Sequence, residues 1–280
     1  HSRQRSKHHD LRPTAIECCS WLKTIFFLYL NFTTSSVDDF NLAAMRNNDN
    51  FINPSYWSEV KITRHYLLKG LKSAVKYASG RLIDVGCGTK PYESLFSPFV
   101  DSYFGVDYQQ TIETNYGSQT KADIFADCSE TELNDSSFDT LLSTQVIEHI
   151  YDTRKFLREC NRIITPRGTG IFTIPFVWQC HSETYDFYRF TRYSIARLFS
   201  ETGFEVIKIE NLEGAYATLI QAKIVSLLVR ERRSLLVRIL CRLRNFLLIP
   251  YLNFKALHLD RVFYSDKLCL NYLAIVRKCS

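Results

Sequence analysis

A chain of 280 residues with 46% apolar content is long enough and apolar enough to bury a core, which excludes general disorder. Its nine cysteines are odd in number, scattered and without a Cys-x-x-Cys pair, which excludes a disulfide framework or cysteine zinc site and points to a reducing, cytoplasmic setting. The net charge of +6 is concentrated in residues 222–258, where eight Lys/Arg face Glu231 alone, so the remainder is nearly neutral and no nucleic-acid partner is expected.

In chain order, residues 1–44 precede the only methionine, Met45. They hold an apolar run, "WLKTIFFLYLNF" (21–32), too short to span a bilayer and interrupted by Lys23. We read 1–44 as a leader, disordered or non-native, and 45–280 as one domain. Apolar residues recur at helical spacing over 55–78, with Gly80 as the stop. Strands are predicted at 82–85, 103–106, 122–125, 138–143 and 170–175. Between the last two, Asp152 is the expected cap of a helix carrying Phe156, Leu157, Cys160 and Ile163, ended by Pro166-Arg167-Gly168. A helix over 193–201, a strand over 204–209 and a seventh strand over 268–276 follow. A basic, Leu-rich insertion at 214–258 separates those last two strands. This alternation predicts an α/β fold, a mostly parallel sheet of seven strands with helices on both faces and a helical insertion before the last strand.

The first strand runs into "RLIDVGCGTKPY" (81–92), a carboxylate followed by two glycines. A dinucleotide loop would read Gly-x-Gly-x-x-Gly, but Pro91 stands in the third place, and no Walker A sequence can be aligned. Asp84 would repel a pyrophosphate and suits a ligand carrying an ammonium and a sulfonium, so the charge sign favours S-adenosylmethionine. Asp107 ends the second strand 19 residues after Gly88, where an acid meets ribose hydroxyls in this architecture.

With "YFGVDY" (103–108), "ADIFADCSE" (122–130), "SSFDTLLSTQVIEHI" (136–150) and "RIITPRGTGIFTIPF" (162–176) following in order, the chain resembles the class I, Rossmann-like S-adenosylmethionine-dependent methyltransferases of the type 11 subgroup. The resemblance implies that Asp84, Gly86 and Gly88 hold the amino-acid end of the cofactor and Asp107 its ribose. It places Asp127 at the adenine amino group, Cys128 beside it, and Gln145 near the sulfonium. The segment "TELNDSSFD" departs from the family in lacking Leu-Pro-Phe, and Pro166-Arg167-Gly168 replaces Pro-Gly-Gly.

Methyl transfer is an in-line displacement that needs positioning and, for a hydroxyl acceptor, a base. The candidate acceptor wall is "FVWQCHSETYDFYRFT" (176–191), after the fifth strand. His181 and Asp186 are the catalytic candidates, and Trp178, Tyr185, Tyr188 and Arg189 the substrate-binding ones. Asp186 and Arg189 also read as an ion pair bracing the loop. A similar His-x-x-x-Tyr-Asp-Phe-Tyr-Arg pattern occurs in family members from bacterial surface-polysaccharide loci, so a sugar, glycolipid, lipid-linked or other small acceptor, methylated on oxygen, is expected. Glu148-His149 lacks further ligands in sequence, and no metal is expected. A non-catalytic S-adenosylmethionine-binding or membrane-associated scaffold is the alternative. In the insertion, Leu236, Ile239, Leu240, Leu243, Phe246 and Leu247 mark one helical face until Pro250. That face either packs on the domain or places 222–258 against an anionic membrane.

Overall fold

The structure, a computed structural model, describes residues 48–108, 120–182, 184–228 and 235–279. The expectation for residues 1–44 lies outside them. A short helix α1 (Asn48–Ile52) leads to α2 (Lys61–Ala74), which starts later than the apolar spacing predicts. Then come β1 (Arg81–Val85), α3 (Glu93–Phe96), β2 (Ser102–Asp107), β3 (Ile124–Phe125) and β4 (Phe138–Thr144). They are followed by α4 (Thr153–Ile163), β5 (Ile164–Pro175), α5 (Arg192–Glu201) and β6 (Phe204–Asn211). Two insertion helices, α6 (Ala215–Leu228) and α7 (Leu235–Leu259), precede β7 (Asn271–Lys278).

The strands form one sheet in the order β3-β2-β1-β4-β5-β7-β6. All neighbours pair in parallel except β7, which lies antiparallel between β5 and β6. Because β1 is central and covered on both faces, its inner residues are all buried, as a parallel strand requires. Its side chains alternate. Ile83 and Val85 join Phe156, Leu157, Cys160, Ile195 and Phe199 in one core, while Leu82 packs with Leu71, Ala74, Tyr92 and Phe96 in the other. The strand order reverses between β1 and β4, and the crevice beyond their carboxyl ends is where open parallel sheets bind ligands.

Two helix ends differ from the sequence reading. Asp152 does cap α4, its Oδ1 accepting from the Lys155 amide at 2.9 Å. The helix stops at Ile163, however, and Pro166-Arg167-Gly168 lies inside β5, with Arg167 at φ 64°. Ile164 and Thr169 pair with Phe138 and Thr140 of β4, and this turn-forming sequence is carried in the strand as the bulge between them. Pro250 also fails to end a helix, for α7 runs on to Leu259. Ile249, Leu252 and Ala256 are buried against Ile62, Tyr66, Ala217 and Leu270, and that packing carries the helix past the proline.

The insertion is therefore anchored on the domain. Asp260, just beyond α7, accepts from Tyr66 Oη at 3.0 Å and from the Gly214 and Ala217 amides at 2.9 Å each, which caps α6. Asn253 donates to the carbonyls of Tyr56 and Ser58, and Gln221 to that of Glu59. The apolar face expected from the sequence points outward in part. Ile239, Leu240, Leu243 and Leu247 are exposed, and Tyr251 and Phe254 extend the stripe. Among the described residues no helix is long and apolar enough to cross a membrane.

Candidate active site

Two groups of side chains meet at the carboxyl edge of the sheet. The first is built on the loop after β1. Gly86 has φ +75°, and a Cβ there would stand 2.5 Å from Val146 Cγ2, so only glycine fits. The Gly86 amide donates to the Val106 carbonyl at 2.9 Å, and its backbone also contacts Cys128. The Gly88 amide donates to Asp107 Oδ2 at 2.7 Å, while Asp107 Oδ1 accepts from the Tyr108 amide at 2.7 Å. Asp84, Gly86, Gly88, Asp107 and Cys128 are thus brought together.

Asp84 is almost completely buried. Its Oδ2 accepts from Tyr103 Oη at 2.6 Å, whereas Oδ1 has no hydrogen-bond partner. Burial pushes its carboxyl up to about 7, against the Tyr103 hydrogen bond, and nearby Asp107 adds to the rise. Burial raises Asp107 as well, opposed by the Gly88 and Tyr108 amides. Burial likewise holds the Cys87 and Cys128 thiols well above their ordinary value, so both are inert neutral side chains here.

Sequence reasoning passed over Tyr103 and Lys90. Tyr103 pairs in register with Leu82 on the neighbouring strand, a relationship that no spacing within one segment reveals. Lys90, buried at φ 51° just after the glycines, is ion-paired with Asp123, which also accepts from the Gly105 amide at 2.7 Å. This pairing neutralises a cation that would otherwise face a cationic ligand.

Asp127 is exposed and turns the chain after β3, its Oδ1 accepting from the Ser129 amide at 2.7 Å. The preceding Ala126 amide donates to the Asp107 carbonyl at 3.1 Å, which keeps this turn beside β2. Gln145, at φ 57°, bridges β4 to β5 through its amide to the Thr173 carbonyl and its Nε2 to Thr173 Oγ1. The orphaned Asp84 oxygen, the glycine cradle and Asp107 fit the polar, cationic end and the ribose of S-adenosylmethionine.

The second group centres on the turn after β4 and on residues 176–191. Val146, against Gly86, leads straight into Glu148 and His149. The Glu148 carbonyl accepts from the Phe187 and Tyr188 amides, tying the acceptor loop to this turn. His149 and His181 stack edge to face, with ring centroids 4.8 Å apart. Burial lowers both imidazoles below their ordinary value, so they are neutral at pH 7. Burial lifts the Glu148 carboxyl to about 8.

Asp186 is engaged by Arg189 Nη1 at 2.6 Å and Nη2 at 2.8 Å and by the His181 amide at 3.0 Å. Burial would raise its carboxyl, but these partners hold it at about 2, which makes it a poor proton acceptor and a brace for the loop. Arg189 is committed to that brace and to the Gln179 and Tyr188 carbonyls. Trp178 packs partly buried beside the insertion helices, apart from this cluster. Tyr185 is exposed, and Tyr188 Oη donates to the Tyr151 carbonyl at 3.0 Å. With Tyr151 and Phe187 they form an aromatic rim, Tyr151 lying 5.4 Å from Phe187 and 6.4 Å from Tyr188 between ring centroids.

Comparison with known proteins agrees with this geometry. Residues 83–172 match the Methyltransf_11 family, described as a methyltransferase domain. Over these residues the chain is similar to a class I methyltransferase domain. A Mycobacterium tuberculosis protein named a probable S-adenosylmethionine-dependent methyltransferase is 30% identical over 95 residues, 33% of this chain and 34% of that protein. A similarly named protein of Mycolicibacterium smegmatis is 29% identical over 104 residues, 36% of this chain and 40% of that protein. The chain thus spans about a third of the length of the curated relatives it matches.

Among solved structures, the complex of the Haloferax volcanii Trm112 methyltransferase activator with its methyltransferase aligns at TM-score 0.53. It shows 16% identity and covers 88% of this chain and all of that one. Haemonchus contortus phosphoethanolamine N-methyltransferase 2 aligns at 0.51 with 19% identity over 90% of this chain and 61% of that one. The cyclase SpnF aligns at 0.50 with 15% identity over 78% of this chain and 82% of that one. Such likenesses establish the fold and not the reaction.

Proposed function

We propose that this protein transfers a methyl group from S-adenosylmethionine to an oxygen of a sugar, glycolipid or other small acceptor. The observation that carries the reading is the buried Asp84 with its unpartnered Oδ1, next to a glycine loop that Val146 keeps free of side chains. When bound, S-adenosylmethionine supplies a methyl carbon activated by positive sulfur.

The chain's own residues then position and deprotonate. Asp84 and the loop amides hold the amino-acid end, and Asp107, fastened to Gly88, offers lone pairs to ribose hydroxyls. In this reading a neutral imidazole, that of His149 or His181, accepts the hydroxyl proton. The exposed faces of Tyr151, Tyr185 and Phe187 offer a stacking surface for a sugar ring.

Calorimetry of the full chain with S-adenosylhomocysteine, followed by incubation of labelled cofactor with glycan and lipid fractions, tests the reading. Micromolar binding and label in an acidic-stable methyl ether support it. A folded protein that does not bind the nucleoside removes it, and binding without transfer to any fraction favours the non-catalytic alternative.

We further propose that the outward stripe of α7 lies on an anionic membrane, where a lipid-linked acceptor would be presented. Leu240, Leu243, Leu247, Tyr251 and Phe254 share one face, and residues 222–258 are strongly basic, which complements anionic headgroups. Sedimentation with phosphatidylglycerol vesicles, but not with phosphatidylcholine vesicles, is expected, and Leu243→Glu with Leu247→Glu should abolish it. Concentration-dependent dimerisation abolished by the same pair, without vesicle binding, would assign the stripe to a second copy instead.

A further inference from the structure

Glu148 is fully buried, and neither of its carboxylate oxygens has a hydrogen-bond partner. Leaving a buried carboxyl group with no donor is costly, and such a group calls for a ligand. The nearest imidazole nitrogen, His149 Nε2, stands 3.7 Å from Oε1, too far for a hydrogen bond.

The tautomers of both histidines follow from their neighbours. His149 Nδ1 lies 2.9 Å from the Tyr185 carbonyl, which can only accept, so Nδ1 carries the proton and Nε2 keeps its lone pair. His181 Nδ1 lies 3.4 Å from the Gln179 carbonyl and 3.5 Å from Asp186 Oδ2, again acceptors. Arg189 Nη2 is 3.4 Å from the same nitrogen, but its hydrogens are committed to Asp186 Oδ2 at 2.8 Å and the Gln179 carbonyl at 3.0 Å. Both imidazoles therefore hold a proton on the side of a carbonyl or carboxylate and a lone pair on the other. That is the arrangement that orients a metal-binding histidine.

One ligand atom from each of Glu148, His149 and His181 falls within 4.8 Å of the others. Bonds of about 2.1 Å to a tetrahedral cation would require closing these separations by roughly 1 Å. We propose that Glu148, His149 and His181 bind one divalent transition cation of the zinc class, two imidazoles and a carboxylate serving as ligands. Imidazole favours zinc, cobalt or nickel over magnesium or calcium, and three protein ligands leave a coordination position open. Resting on the methyl-transfer reading, that position would take the acceptor's hydroxyl oxygen and make it acidic enough to pass its proton to solvent, so that the oxygen would take the methyl group as the sulfonium becomes a neutral thioether. The histidines would then act as ligands in place of bases. The sequence hid this constellation because His181 comes from the loop after β5, far along the chain from Glu148 and His149.

The test uses the full chain, stripped with chelator and titrated with Co2+ alone, followed by calorimetry and visible absorbance, with Mg2+ as the comparison. The expected result is one Co2+ per chain at micromolar affinity, displaced by Zn2+, with absorption of nitrogen and oxygen coordination. His181→Ala, at a partly exposed position, and Glu148→Gln should each weaken binding at least tenfold while circular dichroism is unchanged. Asp186→Asn, which removes a partner of the far ring nitrogen, should weaken it about 10–100-fold. No stoichiometric Co2+ uptake overturns the proposal. So does Mg2+ binding as tight as that of Co2+, or a thiolate-to-cobalt band, from Cys180 or another cysteine, that survives His181→Ala. S-adenosylhomocysteine binding by the stripped protein, measured in parallel, reads the methyl-transfer reading separately: retained binding with no Co2+ uptake rejects the metal site alone.

Discussion

The Gly88 amide donates to Asp107 Oδ2 at 2.7 Å, so one hydrogen bond joins the glycine loop after β1 to the acid at the end of β2. Asp107→Ala should cost the loop anchor and the ribose contact together. A hydrogen bond to a charged group contributes about 1.5–3 kcal/mol, so S-adenosylhomocysteine affinity should fall at least tenfold. Asp107→Asn, whose amide oxygen can still accept from Gly88, should lose less. Calorimetry on the two variants gives the comparison, and equal losses would show that the loop anchor is unimportant.

Burial raises Asp84 from an ordinary 3.8 to about 7. The folded state therefore binds this proton more tightly than the unfolded state. The stability it contributes is fully present below about pH 4 and is lost as pH rises through 7. A cationic ligand favours the ionised form, so cofactor affinity should rise with pH up to about 7 and fall by up to about tenfold per unit below it. Binding at pH 6 should release a proton, visible as a dependence of the calorimetric heat on buffer ionisation enthalpy. Asp84→Asn should flatten the profile, and Tyr103→Phe, which removes the donor to Oδ2, should move its midpoint upward.

Gly86→Ala puts a methyl group at φ +75° and within 2.5 Å of Val146 Cγ2. The backbone strain alone is about 1–2 kcal/mol, and Val146 must also move. Because Val146 leads into Glu148 and His149, the variant should lower cofactor affinity and thermal stability together. A variant with unchanged melting and unchanged affinity would contradict the tight contact.

Asp260→Ala leaves Tyr66 Oη and two helix-end amides without their acceptor in the interior. Losing buried charged-group hydrogen bonds should cost about 3 kcal/mol. For a chain of this size that corresponds to a fall of roughly 6–12 °C in Tm by scanning calorimetry. The glycine loop after β1 lies elsewhere in the fold, so S-adenosylhomocysteine affinity measured well below the new Tm should be retained.

Local sequence carried much of the fold. Strands β1, β2 and β4 appear within a residue of their apolar runs, and Asp152 caps its helix as its type and position require. The glycine loop after β1 was equally legible, because a positive φ and close approach need glycine wherever they occur. Where local signals failed, packing overrode them. Pro250 lies inside α7 because Ile249, Leu252 and Ala256 have a core to enter, and Pro166 lies in β5 as part of a bulge between Ile164 and Thr169, both of which pair with β4.

Residue chemistry alone pointed to an acid and two glycines as the wall for a cationic nucleoside, since charge sign and backbone freedom belong to single residues and their immediate neighbours. Which polar groups would stand unpartnered was settled only by the tertiary structure. Asp84 and Glu148 look like ordinary carboxylates in the sequence. Their exceptional character comes from burial, and burial is a property of everything folded around them.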